Sequence, residues 1–149
     1  AAAEIVHRAG VGAEVNLTFG GHSGIEGDEP FEGNFTVELL HDGRFDATGP
    51  FYKGATFNLG PSACIKIGGT RVVLACNKVQ LADQAMYRFV GIEPTTEKIL
   101  VNKSSVHFRA DFTSPCVTGF LPTHWSLRRM LLGPISPSLF IRIMKSPMC

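Results

Sequence analysis

The densest grouping of chemically capable side chains in this sequence is Lys103-Ser104-Ser105-Val106-His107-Phe108-Arg109. Ser104 or Ser105 is of the type that caps a short helix, whose first N–H groups are unpaired and favour an anion. Lys103, His107 and Arg109 add donors suited to a carboxylate or phosphate. The segment reads as an anion or substrate clamp. A purely structural alternative stands beside it: a Ser-capped helix with solvated Lys and Arg and a buried His bonded to a backbone carbonyl. Gln80, flanked by Asn77 and Lys78, offers neutral amides suited to a peptide-like ligand, or else a loop amide that pairs with backbone. A metal-free hydrolase with Ser104 or Ser105 as nucleophile and His107 as base ranks last. These residues lie two or three positions apart, too close to converge within one helix, and no GxSxG elbow marks a nucleophile.

Metal and nucleotide chemistry find less support. His22, in Gly20-Gly21-His22-Ser23-Gly24, has Asp28 and Glu32 downstream, but there is no HxH or HExxH and no Cys at ligand spacing. The glycines match neither GxGxxG after a strand nor a Walker loop. Cysteines at 64, 76, 116 and 149 form neither a CxxC nor a close-set disulfide framework. If Ser62 to Ile67 and Thr70 to Cys76 make a hairpin across Gly68-Gly69, Cys64 faces Val73. Cys76 then lies roughly 10 Å along the strand at about 3.3 Å per residue, on the opposite face. Reduced, partly buried thiols are expected.

The elements that must position these residues follow from period and punctuation. Ala1 to Ala9 is helix-compatible and stops at Gly10-Val11-Gly12, and the sequence is expected to enter this element part-way. Ala13 to Phe19 alternates Val15, Leu17 and Phe19 with polar residues, as a half-buried strand does. Gly20 to Gly33, with five glycines and four acids, reads as a surface loop. Asn34 to His41 and Arg44 to Thr48, joined by Asp42-Gly43, read as a hairpin. Arg71-Val72-Val73-Leu74-Ala75 suits a central strand buried on both faces. Ala82, Ala85, Met86 and Phe89 form a helical stripe with Asp83 at its start and Gly91 at its stop. Lys98 to Asn102 is another apolar run, so strand 71–76, helix 83–90 and strand 98–102 make a right-handed βαβ unit with parallel strands. The fold class is α+β, a mixed sheet of antiparallel hairpins plus that unit. Both Gln80 and the heptad after Asn102 would open beyond the carboxyl ends of its strands.

Composition bounds the rest. The 149 residues are 44% hydrophobic and 18% charged with a net charge of +1, the profile of one globular domain without a global field for nucleic acid or anionic membrane. No apolar run reaches the roughly 18 residues of a transmembrane span, and the first residues lack signal-peptide order, so a cytoplasmic location is expected. Every acid lies at or before Asp111, which leaves −3 over residues 1–111 and +4 over 112–149. The tail also carries five of nine prolines and the only Trp. We therefore divide the chain into residues 1–116 and a divergent or foreign tail, 117–149.

Several segments together are more specific than any one: Gly10-Val11-Gly12-Ala13, Phe19 to Gly24, Leu59-Gly60-Pro61-Ser62-Ala63, Gln80 through Gly91-Ile92-Glu93-Pro94, and Val101 to Ala110. In this order they resemble the C-terminal domain of the MlrC family, metallopeptidases typified by the microcystin-degrading enzyme, over roughly residues 3 to 116. The resemblance implies a zinc-dependent hydrolase whose ligands lie in an N-terminal domain outside these residues, preceded at Ala1 by a glycine-rich Asp-Asn-Pro-Gly-Gly-Gly type segment. The family's closing Pro-Gly, Arg-Pro and Pro-Leu-Asp pattern is not recovered after Cys116. Its signature falls on Gln80, Gly91, Pro94, Lys103, Ser104, His107, Phe108 and Arg109.

These readings give His107 as the catalytic candidate and Gln80, Lys103, Ser104, Ser105 and Arg109 as substrate-binding candidates, with no metal ligand and no cofactor in this chain. The expected function is an accessory domain of a zinc peptidase or amide hydrolase, forming part of the cleft and inactive alone. The alternative is a stand-alone binding module for a small anion or peptide carboxylate. Expected partners are the N-terminal metal-binding domain of the same protein and a small peptide-like substrate, with no nucleic acid and no membrane.

Overall fold

A computed structural model describes residues 2–20, 26, 29–102, 106–112 and 143–145 of the chain. Its elements, in order, are α1 (Ala2–Ala9), β1 (Glu14–Gly20), β2 (Pro30–His41), β3 (Arg44–Asp46), β4 (Thr56–Asn58), β5 (Ser62–Ile67), β6 (Thr70–Ala75), α2 (Ala85–Arg88), a 3₁₀ turn (Pro94–Thr96), α3 (Arg109–Phe112) and β7 (Ile143–Lys145). The main sheet runs β1-β2-β5-β6-β7, with β1, β2, β5 and β6 antiparallel and β7 parallel to β6. The fold is α+β with a mixed sheet. No helix among the described residues is long and apolar enough to cross a membrane.

Local patterns explain most of these elements. In β1, Leu17 and Phe19 are buried while Glu14, Asn16 and Thr18 face solvent, the alternation of a strand with one wet face. The β5–β6 hairpin turns at Gly68-Gly69 in the anticipated register, with Ile67 opposite Thr70 and Cys64 opposite Val73. Apolar side chains fill both sides of β6: Val72 and Leu74 join the core under α1, and Val73 joins the core under α2 and α3. Cys64 and Cys76 fall in these two different cores and form no disulfide. The apolar side of α1, Ala2, Ala3 and Val6, closes the first core against Leu17, Phe35, Val37, Ile65 and Leu74.

Four expectations about the elements need correction. First, Asp42-Gly43 turns the chain but does not fold β3 back on β2, because β1 and β5 already occupy both edges of β2. Gly43, at φ 85°, instead packs on Gly60, whose carbonyl oxygen would lie 2.0 Å from a Cβ there, and β3 pairs with β4 in a separate two-stranded sheet. Second, Lys98 to Asn102 forms no strand. β7 holds the open edge of β6, while Leu100 is buried in the second core and Asn102 accepts a hydrogen bond from the Tyr87 hydroxyl. The parallel partner of β6 is therefore 143–145. Third, the glycine-rich stretch is shorter than 20–33, because Pro30 to Gly33 pairs with β1, Gly33 opposite Leu17. Fourth, the helix after Ala82 is confined to four residues. Its punctuation is as anticipated: the Asp83 carboxylate accepts from the Ala85 N–H at 2.8 Å, and Gly91 takes φ 78° at the exit.

Candidate functional site

Gln80 and His107, 27 positions apart, meet at the surface beyond the carboxyl end of β6, with Gln80 Nε2 2.5 Å from His107 Nδ1. The amide donates and Nδ1 accepts, the pairing of the imidazole tautomer that has its hydrogen on Nε2. His107 is exposed, in a turn just ahead of α3, where the Val106 and His107 carbonyls accept from the Arg109 and Ala110 N–H groups. It is not the buried, carbonyl-bonded histidine of the structural alternative.

The ring of Phe51 covers one side of the imidazole at 4.5 Å between centroids, inclined by 46°. Phe51 is 44% exposed and Val106, next to His107, is 59% exposed, two of only four large hydrophobic side chains left this open among the described residues. Phe51 joins the site through this ring contact and was not singled out in the sequence, whereas Val106 lies within the anticipated Lys103–Arg109 segment. The signal for Phe51 was present: Phe51-Tyr52 sits between Gly49 and Gly54, the punctuation of a presented loop.

A succession of rings fixes this loop. From His107 it passes through Phe51, Tyr52, Phe57, Phe45 and Phe89 to His41, each centroid 4.5–5.5 Å from the next. The rings seat the β3–β4 sheet against α2. The Tyr52 hydroxyl also donates to the Gln80 carbonyl at 3.4 Å. Deeper in, three backbone segments meet. Gly49 N–H donates to Asp83 Oδ2 at 2.7 Å and Gln84 N–H to Asp111 Oδ2 at 2.7 Å. Gln84 Nε2 donates to the Asp111 carbonyl at 2.6 Å, and Arg88 donates to Gln84 Oε1 at 2.8 Å. Hydrogen bonds to Glu93, then the charges of Glu93, Asp111 and Asp83, hold the Arg88 guanidinium above its ordinary pKa.

The other anticipated residues are placed as follows. Arg109 is exposed, its guanidinium carbon 5.9 Å from the centroid of the Phe108 ring, and Phe108 itself is buried in the second core. Asn77 donates from its side chain to the Asn58 carbonyl and so ties β4 to the end of β6. Gly91 and Pro94 shape the exit from α2, Gly91 against Leu39 and Pro94 at the head of the 3₁₀ turn. Lys103, Ser104, Ser105 and His22 lie outside the described residues. Among the described residues no three His, Cys, Asp or Glu side chains come together in a way that would hold a metal ion. The described part of this chain therefore does not fit a zinc centre of its own.

Compared with known proteins, the chain matches the family model described as MlrC C-terminus over residues 1–118. No curated protein matches it. Among solved structures it is similar to the crystal structure of a protein from Mesorhizobium sp. BNC1 that carries a provisional metallopeptidase description, with a TM-score of 0.70 and 23% identity, covering 80% of this chain. The chain spans 24% of that protein's length, and at this identity the likeness is one of fold. The family model covers most of the sequence and agrees with the resemblance drawn from its motifs: the chain belongs to the MlrC family, whose C-terminal region it matches.

Proposed function

We propose that this domain forms one wall of the substrate cleft of a zinc-dependent peptidase or amide hydrolase, and that the metal ligands belong to an N-terminal domain outside these 149 residues. Family membership supports the reaction class. The observation that carries the role of this domain is the Gln80–His107 pair, a solvent-facing imidazole whose tautomer a neighbouring amide selects. As an amide is hydrolysed its carbonyl oxygen gains negative charge, and a fixed N–H donor stabilises that charge. With Nδ1 engaged by Gln80, the His107 ring offers Nε2–H. It acts as a donor to a substrate oxygen rather than as a base. Lys103, Ser104, Ser105 and Arg109 are the adjoining substrate-binding candidates, suited by type to a peptide carboxylate. Phe51 and Val106 give the wall an apolar margin that fits a peptide-like substrate. A cytoplasmic setting, expected from the absence of a long apolar run and of signal-peptide order in the sequence, belongs to the same reading.

Metal analysis of the purified 149-residue chain, combined with a peptidase assay with and without added zinc, tests the proposal. Less than one metal per chain and no turnover are expected. Robust zinc-dependent turnover by this chain alone overturns the division of labour. Saturable binding of acetate or a short peptide that shifts the His107 signals, with no second domain present, would support the stand-alone binding module instead.

A further inference from the structure

Gln80 and Gln84 are four residues apart, as are His107 and Asp111, and the two spacings match as rungs. Gln80 bonds to His107 and Gln84 bonds to Asp111, so the two segments run side by side in the same direction. The second rung is the stronger, with two hydrogen bonds, from the Gln84 backbone N–H and from its side chain. The residue before Gln84, Asp83, reaches a third segment by accepting the Gly49 N–H, two residues ahead of Phe51. Each of the three segments that bring a residue to the His107 site is thus tied at one node.

The node has its own steric and electrostatic demands. A Cβ at Gly49 would lie 2.6 Å from Asp111 Oδ2 and 2.9 Å from Asp83 Oδ2, so both carboxylates close on the space left by the missing side chain. Two carboxylates this near each other repel, and Asp83 is fully buried. Three backbone N–H groups, of Gly49, Gln84 and Ala85, and the nearby Arg88 guanidinium offset that cost. An apolar pair could fill the same space, but it would leave the Gly49 and Gln84 N–H groups without acceptors and the segments without a fixed offset.

We infer that Asp83 and Asp111 are positioning residues of the His107 site: closing on Gly49 and Gln84, they hold Phe51 and Gln80 against the imidazole. The functional weight of this inference rests on His107 as the chemical group of the domain. The geometric part does not depend on turnover.

Nuclear magnetic resonance of the full chain tests it through the His107 ring protons, which should show contacts to the Phe51 ring and to the Gln80 amide, and an upfield shift from the Phe51 face. Asp111→Ala removes the acceptor of the Gln84 N–H and should abolish both sets of contacts and the upfield shift. Asp111→Asn keeps a carbonyl acceptor and should restore them. Leu17→Ala, which opens a cavity in the other core, should leave them unchanged and so controls for general loosening. Should Asp111→Ala not fold, Gly49→Ala supplies the same displacement by sterics. Persistence of the contacts in folded Asp111→Ala or Gly49→Ala, failure of Asp111→Asn to restore them, or their equal loss in Leu17→Ala, would overturn the inference. Failure of the functional reading shows elsewhere, as full activity of a longer enzyme carrying His107→Ala although the parental chain shows these contacts.

Discussion

Replacing Tyr87 by Phe isolates the polar contact that anchors the chain just before the Lys103–Arg109 segment. Tyr87 is fully buried, its ring edge-on to Phe112 at 6.0 Å, and its hydroxyl donates to Asn102 Oδ1. Burial pushes the phenol well above its ordinary pKa, which favours the protonated donor. Asn102 is 3% exposed, and its Nδ2 has no hydrogen-bond partner among the described residues, so within them the amide depends on this one bond. Phe preserves the ring packing and leaves the whole amide unsatisfied. A buried polar group deprived of its partner costs about 1–3 kcal/mol. At about 4 °C per kcal/mol for a chain of this size, thermal unfolding followed by circular dichroism should fall by about 4–12 °C. Asn102→Leu leaves the Tyr87 hydroxyl unpaired and should also destabilise. In the double variant no polar atom is left unsatisfied, and stability should return to near the parental value. A Tyr87→Phe protein that melts with the parent, or a double variant no more stable than the sum of the singles, would refute this reasoning.

The Glu93 carboxyl, hydrogen-bonded first by Arg88 and then by Thr95, is held down to about 2. A carboxylate whose folded value lies below its unfolded 4.5 stabilises the fold above pH 4.5 and loses that contribution as pH falls toward 2. Glu93→Gln should therefore flatten the stability profile in that window, by a small amount because both partners are more than two-fifths exposed, and an unchanged slope would count against the pair. Burial first, and then Glu38, push the Cys64 thiol up to about 12. Cys64 should resist alkylation in the native protein at pH 8 and react only on unfolding, as mass spectrometry of digested fragments would reveal. For the domain boundary we propose Cys116, since the core residues found among the described residues lie within 2–112. A chain ending there should still melt cooperatively, and loss of that transition would show that β7 is needed to close the edge of β6.

What the sequence made legible was local. The β5–β6 register, the Asp83 carboxylate at the start of α2 and the Gly91 stop each depend on a few neighbouring residues, and each was found in the structure. What it hid was the choice of partner. Asp42-Gly43 is a sound turn signal, but it carries no information that β2 will already be paired on both edges. Ile99, Leu100 and Val101 are apolar enough for a strand, yet their side of the fold is shaped by a tyrosine hydroxyl and a buried amide rather than by a ladder. Gln80 and His107 were expected at one crevice because two parallel strands were expected to end there. They do meet, but through the Gln84–Asp111 rung and the aromatic loop, neither of which periodicity encodes. Asp111 looked like the last acid before a basic tail, and nothing in its neighbours announced a partner 27 positions away.

The central claim is that His107 acts on substrate rather than on the fold, and turnover measured alongside thermal stability for His107→Ala, in a longer enzyme that carries this domain, tests it most directly. His107 is exposed and, among the described residues, makes one side-chain hydrogen bond and one ring contact, so stability should change little. Turnover should fall at least tenfold, about 1.4 kcal/mol of lost transition-state stabilisation. A variant that unfolds readily while its folded fraction retains full activity would contradict the account.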